Sequence, residues 1–329
     1  MIKLSLHSRS LELDLERKLL VLRDGDQRID LPRTEVAQMM TFLLAHPTFF
    51  EDCSVEASVR PITIVPRFAD LLETGTLKPG MSELMLGIQA VSCEPLLISW
   101  QDFRSGGVGG RGRSGKTNTL FFLSVQAILS GAEVWVADPH YNKVSSLTAL
   151  LRPLAQHVRL AGTLDETAQM IEDVSSEISR RKAKPGPSHP LVVIFDEWNG
   201  ILEDFDGEEE RRTNGESYSK RVAATLLQVE REMGGYEMYS LLGVSDWSDK
   251  AIGGASLRRL IHSVLCHRMT VDYSKYILES KQWCRQTAGL HTGHLIYKDN
   301  EGSYTQLIVP FISAEDAATI ARLLAEHRE

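Results

Sequence analysis

Residues 110–117 read GRGRSGKT. The spacing Gly110-x-x-x-x-Gly115-Lys116-Thr117 suits the binding of phosphate. Glycines let backbone N–H groups close around an anion without Cβ clashes. A helix starting at Lys116 aims its positive end at the same anion. Lys116 is placed to reach the β- and γ-phosphates of ATP, and the Thr117 hydroxyl to ligate Mg2+. The nucleotide-contacting set expected from this spacing is Gly110, Arg111, Gly112, Arg113, Ser114, Gly115, Lys116, Thr117 and Asn118. The stretch carries no acid in a chain of net charge −8; a carboxylate there would repel a triphosphate. Arg111 and Arg113 occupy the variable positions, and nucleotide, a neighbouring subunit and water all remain open as their partners.

A cradle of this kind needs an acid to hold the metal's water shell. LVVIFDEW supplies Asp196 directly after an apolar run, and Glu197 follows it. Asp196 is expected at the Mg2+. Glu197 is expected to orient or activate the attacking water, which is general-base work. A DE pair points to hydrolysis rather than transfer to a small substrate. Asp138 in VWVADPH and Ser245-Asp246 in GVSDW end two further apolar runs, at the sheet edge where a nucleotide would lie. His140 either lines that edge or is a surface histidine. An ATPase of this design takes a transition-state arginine from a neighbouring subunit. Arg231 is the expected residue, with Arg258 and Arg259 as others.

The elements that must position these groups alternate. LMLGIQAV and EPLLISW read as strands, a long helix covers 116–130, and AEVWVADP and VRLAG are strands. LDETAQMIEDVSSEISRRKAK is a helix with acids first and bases last. LVVIFDEW, YSLLGVSD, SVLCHRM, GHLIYKD and TQLIVPF add strands, RVAATLLQVEREM is a helix, and SAEDAATIARLLAEH closes the chain as a capped helix. Strands alternating with helices predict an α/β protein with a mostly parallel sheet. The strand feeding the cradle, RSGGVGG, is poor in apolar residues. Segment 203–220 reads as a polar loop, and Trp135, Trp198 and Trp247 read as packing residues.

Residues 1–75 read as a separate small α+β module. Leu11, Leu13 and Leu15 alternate, DGD makes a turn, and a strand follows around Ile29 and Leu31. Val36, Met39, Met40, Leu43 and Leu44 share one helix face. Thr34 caps that helix and Pro47 stops it.

The chain has 329 residues, of which 43% are hydrophobic and 24% charged, enough for one large core and an accessory module. No apolar run reaches the ~20 residues that span a bilayer, and the N-terminus lacks a signal-peptide pattern. Cys53, Cys93, Cys266 and Cys284 form no C-x-x-C and suit free cytosolic thiols. A cytoplasmic protein with no membrane segment is expected. The acidic balance excludes a generally basic nucleic-acid coat but leaves room for a local basic channel.

In order, LGIQA…PLLISW, GRGRSGKTNTL, GAEVWVADPH, LVVIFDEW, REMGGYEMYSLLGVSD, LRRLIHSVLCHRMTVDYS and TGHLIYKD…TQLIVPFIS resemble the FtsK/HerA superfamily of DNA-pumping ATPases across about residues 84–324. The resemblance implies a RecA-like P-loop core over residues 76–329, ATP and Mg2+ between subunits, a homo-oligomeric ring with a hexamer as the implied size, and double-stranded DNA through its pore. Three departures stand out: His140 where a lysine is common, Ser245-Asp246 where Thr-Gln is common, and no DNA-guiding tail domain after Glu329. Residues 9–50 resemble the opening of an OmpR/PhoB-type winged helix. Two alternatives follow: a nucleotide switch controlling that N-terminal module, and a conjugation or mobile-element coupling ATPase that acts through a protein partner.

Overall fold

The computed structural model describes residues 65–326 apart from 79, 81, 185–188 and 210–217, together with four short strands between residues 2 and 31. Contacts divide the chain into two units, Met1–Ile64 and Val65–Glu329.

In the first unit, β1 (Ile2–Leu6), β2 (Arg9–Asp14), β3 (Leu19–Asp24) and β4 (Gln27–Leu31) form an antiparallel meander. The β3–β4 pair spans the DGD turn read from sequence, with Asp24 opposite Gln27. The helix expected from Thr34 to Pro47, and with it most of the winged-helix outline, lies outside the described residues.

The second unit opens with α1 (Phe68–Glu73), which buries Phe68 and Leu71 in its core. These residues precede the boundary expected at 75/76. A hairpin follows, β5 (Glu83–Gln89) and β6 (Pro95–Ser99), then the short α2 (Trp100–Phe103). The strand β7 (Ser105–Gly109) leads into the GRGRSGKT loop and α3 (Lys116–Leu129). Next come β8 (Glu133–Ala137), α4 (Leu147–Leu151), β9 (Val158–Ala161) and α5 (Leu164–Ala183). The start of α5 is fixed by a capping box between Thr163 and Glu166. The chain continues through β10 (Leu191–Phe195), α6 (Trp198–Glu209), α7 (Tyr218–Met233) and β11 (Met238–Val244). The segment 203–220, expected as a polar loop, is therefore helical at both ends, because Phe205 on α6 finds the core. Two single turns, α8 (Asp249–Ile252) and α9 (Ala255–Arg258), precede β12 (Ser263–His267). A helical pair not foreseen from sequence, α10 (Val271–Leu278) and α11 (Lys281–Ala288), separates β12 from β13 (His294–Lys298). Finally β14 (Tyr304–Ile308) leads to α12 (Ala314–Glu326).

One sheet of ten strands holds the second unit together, in the order β6-β5-β14-β13-β12-β7-β11-β10-β8-β9. From β12 to β9 the pairs are parallel. From β12 to β6 they are antiparallel. Alternate residues feed opposite faces, as a strand's period of two requires. On β10, Val192 and Ile194 join the core under α1, α3, α4 and α12. Leu191, Val193 and Phe195 join the core under α5, α6, α7, α10 and α11. Helices thus cover both faces, so the parallel strands are buried on both sides.

Candidate functional site

The residues singled out by spacing meet at the C-terminal edge of the parallel strands. The low apolar content of β7 has a steric cause. A Cβ on Gly106 would overlap the Phe103 ring, and one on Gly107 or Gly109 would overlap Trp247. Phe103 and Trp247 are both completely buried. Neighbouring rings therefore fill the space that strand side chains would take elsewhere, and β7 stays fully buried without them.

From β7 the loop is braced on three sides. Gly110 N–H donates to Val244 O at 3.2 Å and Arg111 N–H to Arg268 O at 3.0 Å. Gly293 N–H donates to Ser114 O at 3.1 Å, and the Thr292 hydroxyl to Arg113 O at 3.2 Å. The ends of β11 and β12 and the approach to β13 thus hold the loop backbone. Gly115 adopts φ +119°, where a side chain is strained, and a Cβ there would also press on Gly293 N and His267 Cε1, each 3.1 Å away. Gly115 is the N-cap of α3 and supplies no side-chain cap, and the first turn of α3 holds no acid. The helix's leading N–H groups are left for an anion. Arg111, Gly112 and Arg113 are exposed.

Lys116 is buried, and its Nζ donates to Gly110 O at 2.8 Å. The same ammonium lies 3.2 Å from Glu197 Oε2. Thr117 is half-buried beside it in the first turn of α3. Asn118 is directed elsewhere: its amide donates to Pro310 O at 2.9 Å and accepts from Ile312 N–H at 3.2 Å. It ties α3 to the segment after β14.

Asp196 directly follows β10 with its N–H on Ala137 O, and its Oδ1 accepts from Glu197 N–H at 2.9 Å. Gly243 on β11 makes room for it, since a Cβ there would lie 2.8 Å from Asp196 Oδ1. Burial and then the Asp138 carboxylate push the Asp196 carboxyl up to about 7, while Lys116 pulls the other way. The oxygen donors available here, the Thr117 hydroxyl and an Asp196 carboxylate crowded by a second acid, fit a hard divalent cation such as Mg2+. Asp138 itself is fully buried and accepts from His140 N–H and Thr148 N–H at 2.8 and 2.9 Å. It closes the turn after β8.

Glu197 takes φ +51°, a left-handed conformation that costs a non-glycine residue roughly 1–2 kcal/mol. Burial raises its carboxyl, but the Lys116 charge, hydrogen bonds from Ser245 and Lys116, and the charge of His140 outweigh it and leave it below the usual range. A carboxylate that is ionised, restrained and half-buried can accept a proton from a neighbouring water.

Two residues missed by the sequence reading organise this edge. Asn199 Oδ1 accepts from Ser245 N–H at 2.7 Å, the Ser245 hydroxyl at 3.1 Å and Asp246 N–H at 3.2 Å. Its Nδ2 donates to Asp246 O and Ala251 O, both at 2.8 Å. One amide thus fixes the Ser245-Asp246 turn against α6. His267 lies completely buried under the loop. Its Nδ1 donates to His294 O at 2.9 Å, so Nε2 accepts from the Thr119 hydroxyl at 2.8 Å. Burial pushes His267 down to about 4; its bond to His294 O opposes the shift, and the Lys116 charge adds to it. Only the short DEWN run could have flagged Asn199, and nothing in the spacing marked His267.

The arginines are not gathered here. Arg231 lies at the opposite edge, beside the N-terminal ends of β7 and β11. Arg258 is engaged within the chain, donating to Trp247 O at 3.0 Å, pairing with Asp249 and stacking over Tyr276. Arg259 is exposed. Of the tryptophans, Trp198 donates to Ile252 O at 3.0 Å from the core, and Trp135 sits under Arg159.

Among the described residues no helix is long and apolar enough to cross a membrane. No family model matches the sequence, and no curated protein does. Solved structures do resemble the chain. The pCW3 conjugation coupling protein TcpA, in its monomer form with ATPγS, is 13% identical with a TM-score of 0.67, covering 94% of this chain and 89% of that one. The cytoplasmic domain of the type VII secretion ATPase EccC from Thermomonospora curvata is 14% identical with a TM-score of 0.60, over 80% of this chain and 34% of that one. EssC (ATPases 2 and 3) from Geobacillus thermodenitrificans is 11% identical with a TM-score of 0.58, over 92% and 57%. With its mixed, mostly parallel sheet and the GRGRSGKT loop at the C-terminal end of a central strand, the larger unit has the RecA-like fold of these P-loop ATPases.

Proposed function

We propose that the chain is an ATP-hydrolysing motor subunit of the FtsK/HerA type, which assembles into a ring and moves double-stranded DNA. The observation that carries the chemistry is the meeting of Lys116, Asp196 and Glu197 at one strand edge, with Lys116 held 3.2 Å from Glu197. In this reading the loop amides and Lys116 receive the triphosphate. Lys116 exchanges its contact with Glu197 for the phosphates, which frees Glu197 to orient water and take its proton. Mg2+, held by Thr117 and Asp196, supplies neutralising charge to the β- and γ-phosphates when bound. Ser245 positions Glu197 from the side. A neighbouring subunit supplies the transition-state arginine, Arg231 or Arg259, both exposed here.

A second reading, a coupling ATPase acting through a protein partner, is supported by the likeness to TcpA over most of both chains. One set of assays separates the two. Lys116→Ala is expected to abolish ATP binding and hydrolysis. Glu197→Gln is expected to bind ATP and lose about 100-fold or more of the hydrolysis rate, the scale of a lost general base. Duplex DNA is expected to stimulate the wild-type ATPase, and higher salt to weaken that stimulation. Normal hydrolysis by Glu197→Gln overturns the catalytic assignment. An active ATPase that duplex DNA leaves unchanged in every oligomeric state overturns the DNA motor and leaves the coupling reading.

A further inference from the structure

At the edge opposite the loop, beside the starts of β7, β11 and β12, lies a cavity of about 380 Å3, within the ~300–1,000 Å3 of small-molecule sites. Glu230 of α7 lines it. Only 8% of Glu230 is exposed, and its Oε1 is buried with no hydrogen-bond partner. The Ser240 hydroxyl, also buried, lies beside the Glu230 carboxyl, and neither Ser240 Oγ nor Glu230 Oε1 makes a well-formed hydrogen bond. Arg104 and Arg231 line the same cavity, yet neither forms an ion pair with Glu230 among the described residues. Ser105 and His262 complete the polar wall, hydrogen-bonded to each other at 3.0 Å. Burial pushes the Glu230 carboxyl up to about 7, with the Ser240 hydroxyl acting against the shift.

A buried carboxyl oxygen left without a well-formed hydrogen bond weakens the fold unless a ligand supplies the donor. An acid and two guanidinium groups that share a cavity without touching leave a gap that a ligand of both charges would bridge. We propose that this cavity is a second ligand site, separate from the loop, for a small molecule carrying both a cationic donor and a carboxylate, the chemistry of a free basic amino acid. The cationic donor meets Glu230 and Ser240, and the carboxylate meets Arg104 and Arg231. Charged groups placed to fix both ends of a ligand are what a specific small-molecule site contains.

The test uses the full chain and three probes in calorimetric titrations: L-arginine, methylguanidinium and acetate. L-Arginine is expected to bind saturably with one site per chain, and each single-charge probe at least tenfold more weakly. Glu230→Gln and Arg104→Ala are each expected to weaken L-arginine at least tenfold. Lys116→Ala is expected to leave that binding unchanged, because it acts at the opposite edge. Glu230→Gln removes only a charge, and Arg104 is an exposed side chain, so at least one variant folds. Three outcomes overturn the proposal: no saturable binding of L-arginine to wild type, equal binding by both folded variants, or a structure soaked in L-arginine that shows ordered waters only in the cavity.

Discussion

Asn199 shows how much of an active edge can rest on one neutral amide. Its oxygen receives three donors from Ser245 and Asp246, and its nitrogen reaches two carbonyls. Ser245 also helps to hold the Glu197 carboxyl low, so fixing the Ser245-Asp246 turn is expected to keep Ser245 beside Glu197. Asn199→Ala leaves buried backbone groups unsatisfied and is expected to cost about 1–3 kcal/mol of stability. It is also expected to lower kcat about tenfold or more while changing ATP affinity little, since the loop and Lys116 are intact. Denaturant unfolding and steady-state kinetics read the two effects; a kcat equal to wild type would remove Asn199 from the positioning of Glu197. Lys116, Asp196 and Glu197 were legible because each belongs to a short contiguous motif. Asn199 lies in such a run, but its partners are 46 to 52 residues away. The His267–Thr119 contact spans 148 residues. Spacing along the chain carries no signal for contacts of that kind.

At the scale of elements, the parallel strands were legible from their apolar runs, and α3, α5, α7 and α12 from their own patterns. The exception is β7, whose burial comes from rings belonging to other elements. That dependence can be measured. Gly107→Ala places a methyl into the Trp247 ring and close to Ile261 Cγ2, and overpacking of this kind costs typically about 1–3 kcal/mol. In a Trp247→Leu background the same substitution is expected to cost less, because the obstructing ring is gone. A double-mutant cycle by urea unfolding reads the coupling as a departure from additivity. Additive costs would show that Trp247 does not set the glycine requirement of β7. The half-helical character of 203–220 escaped notice because its charge density masked one apolar anchor, Phe205. The pair α10–α11 escaped because its segments are only eight residues each, too short to show a clear period.

The stability of the whole molecule against pH sums groups that pull in opposite directions. His267 titrates at about 4 in the fold against an ordinary 6.5. Above about pH 6.5 both folded and unfolded forms are neutral there, and its contribution is fully present. As pH falls toward 4 the unfolded chain takes a proton that the folded chain refuses, and stability drops by about 1.4 kcal/mol per pH unit. His262 and His294 are shifted in the same direction by burial. Glu230 and Asp196, both raised to about 7, do the reverse. They keep protons that the unfolded chain has lost, so they weaken the fold near neutrality and weaken it less as pH falls. These opposing slopes overlap between about pH 7 and pH 5, and single variants should separate the two components. His267→Gln, whose amide still offers a donor and an acceptor, is expected to lose about 2 kcal/mol less than wild type on that acidification. Glu230→Gln is expected to tilt the other way: it removes a penalty at about pH 7 that is already small at pH 5, so its loss on acidification exceeds that of wild type. Urea midpoints of the three proteins at the two pH values decide it, and parallel lines would mean that neither group is held in the protonation state its surroundings impose.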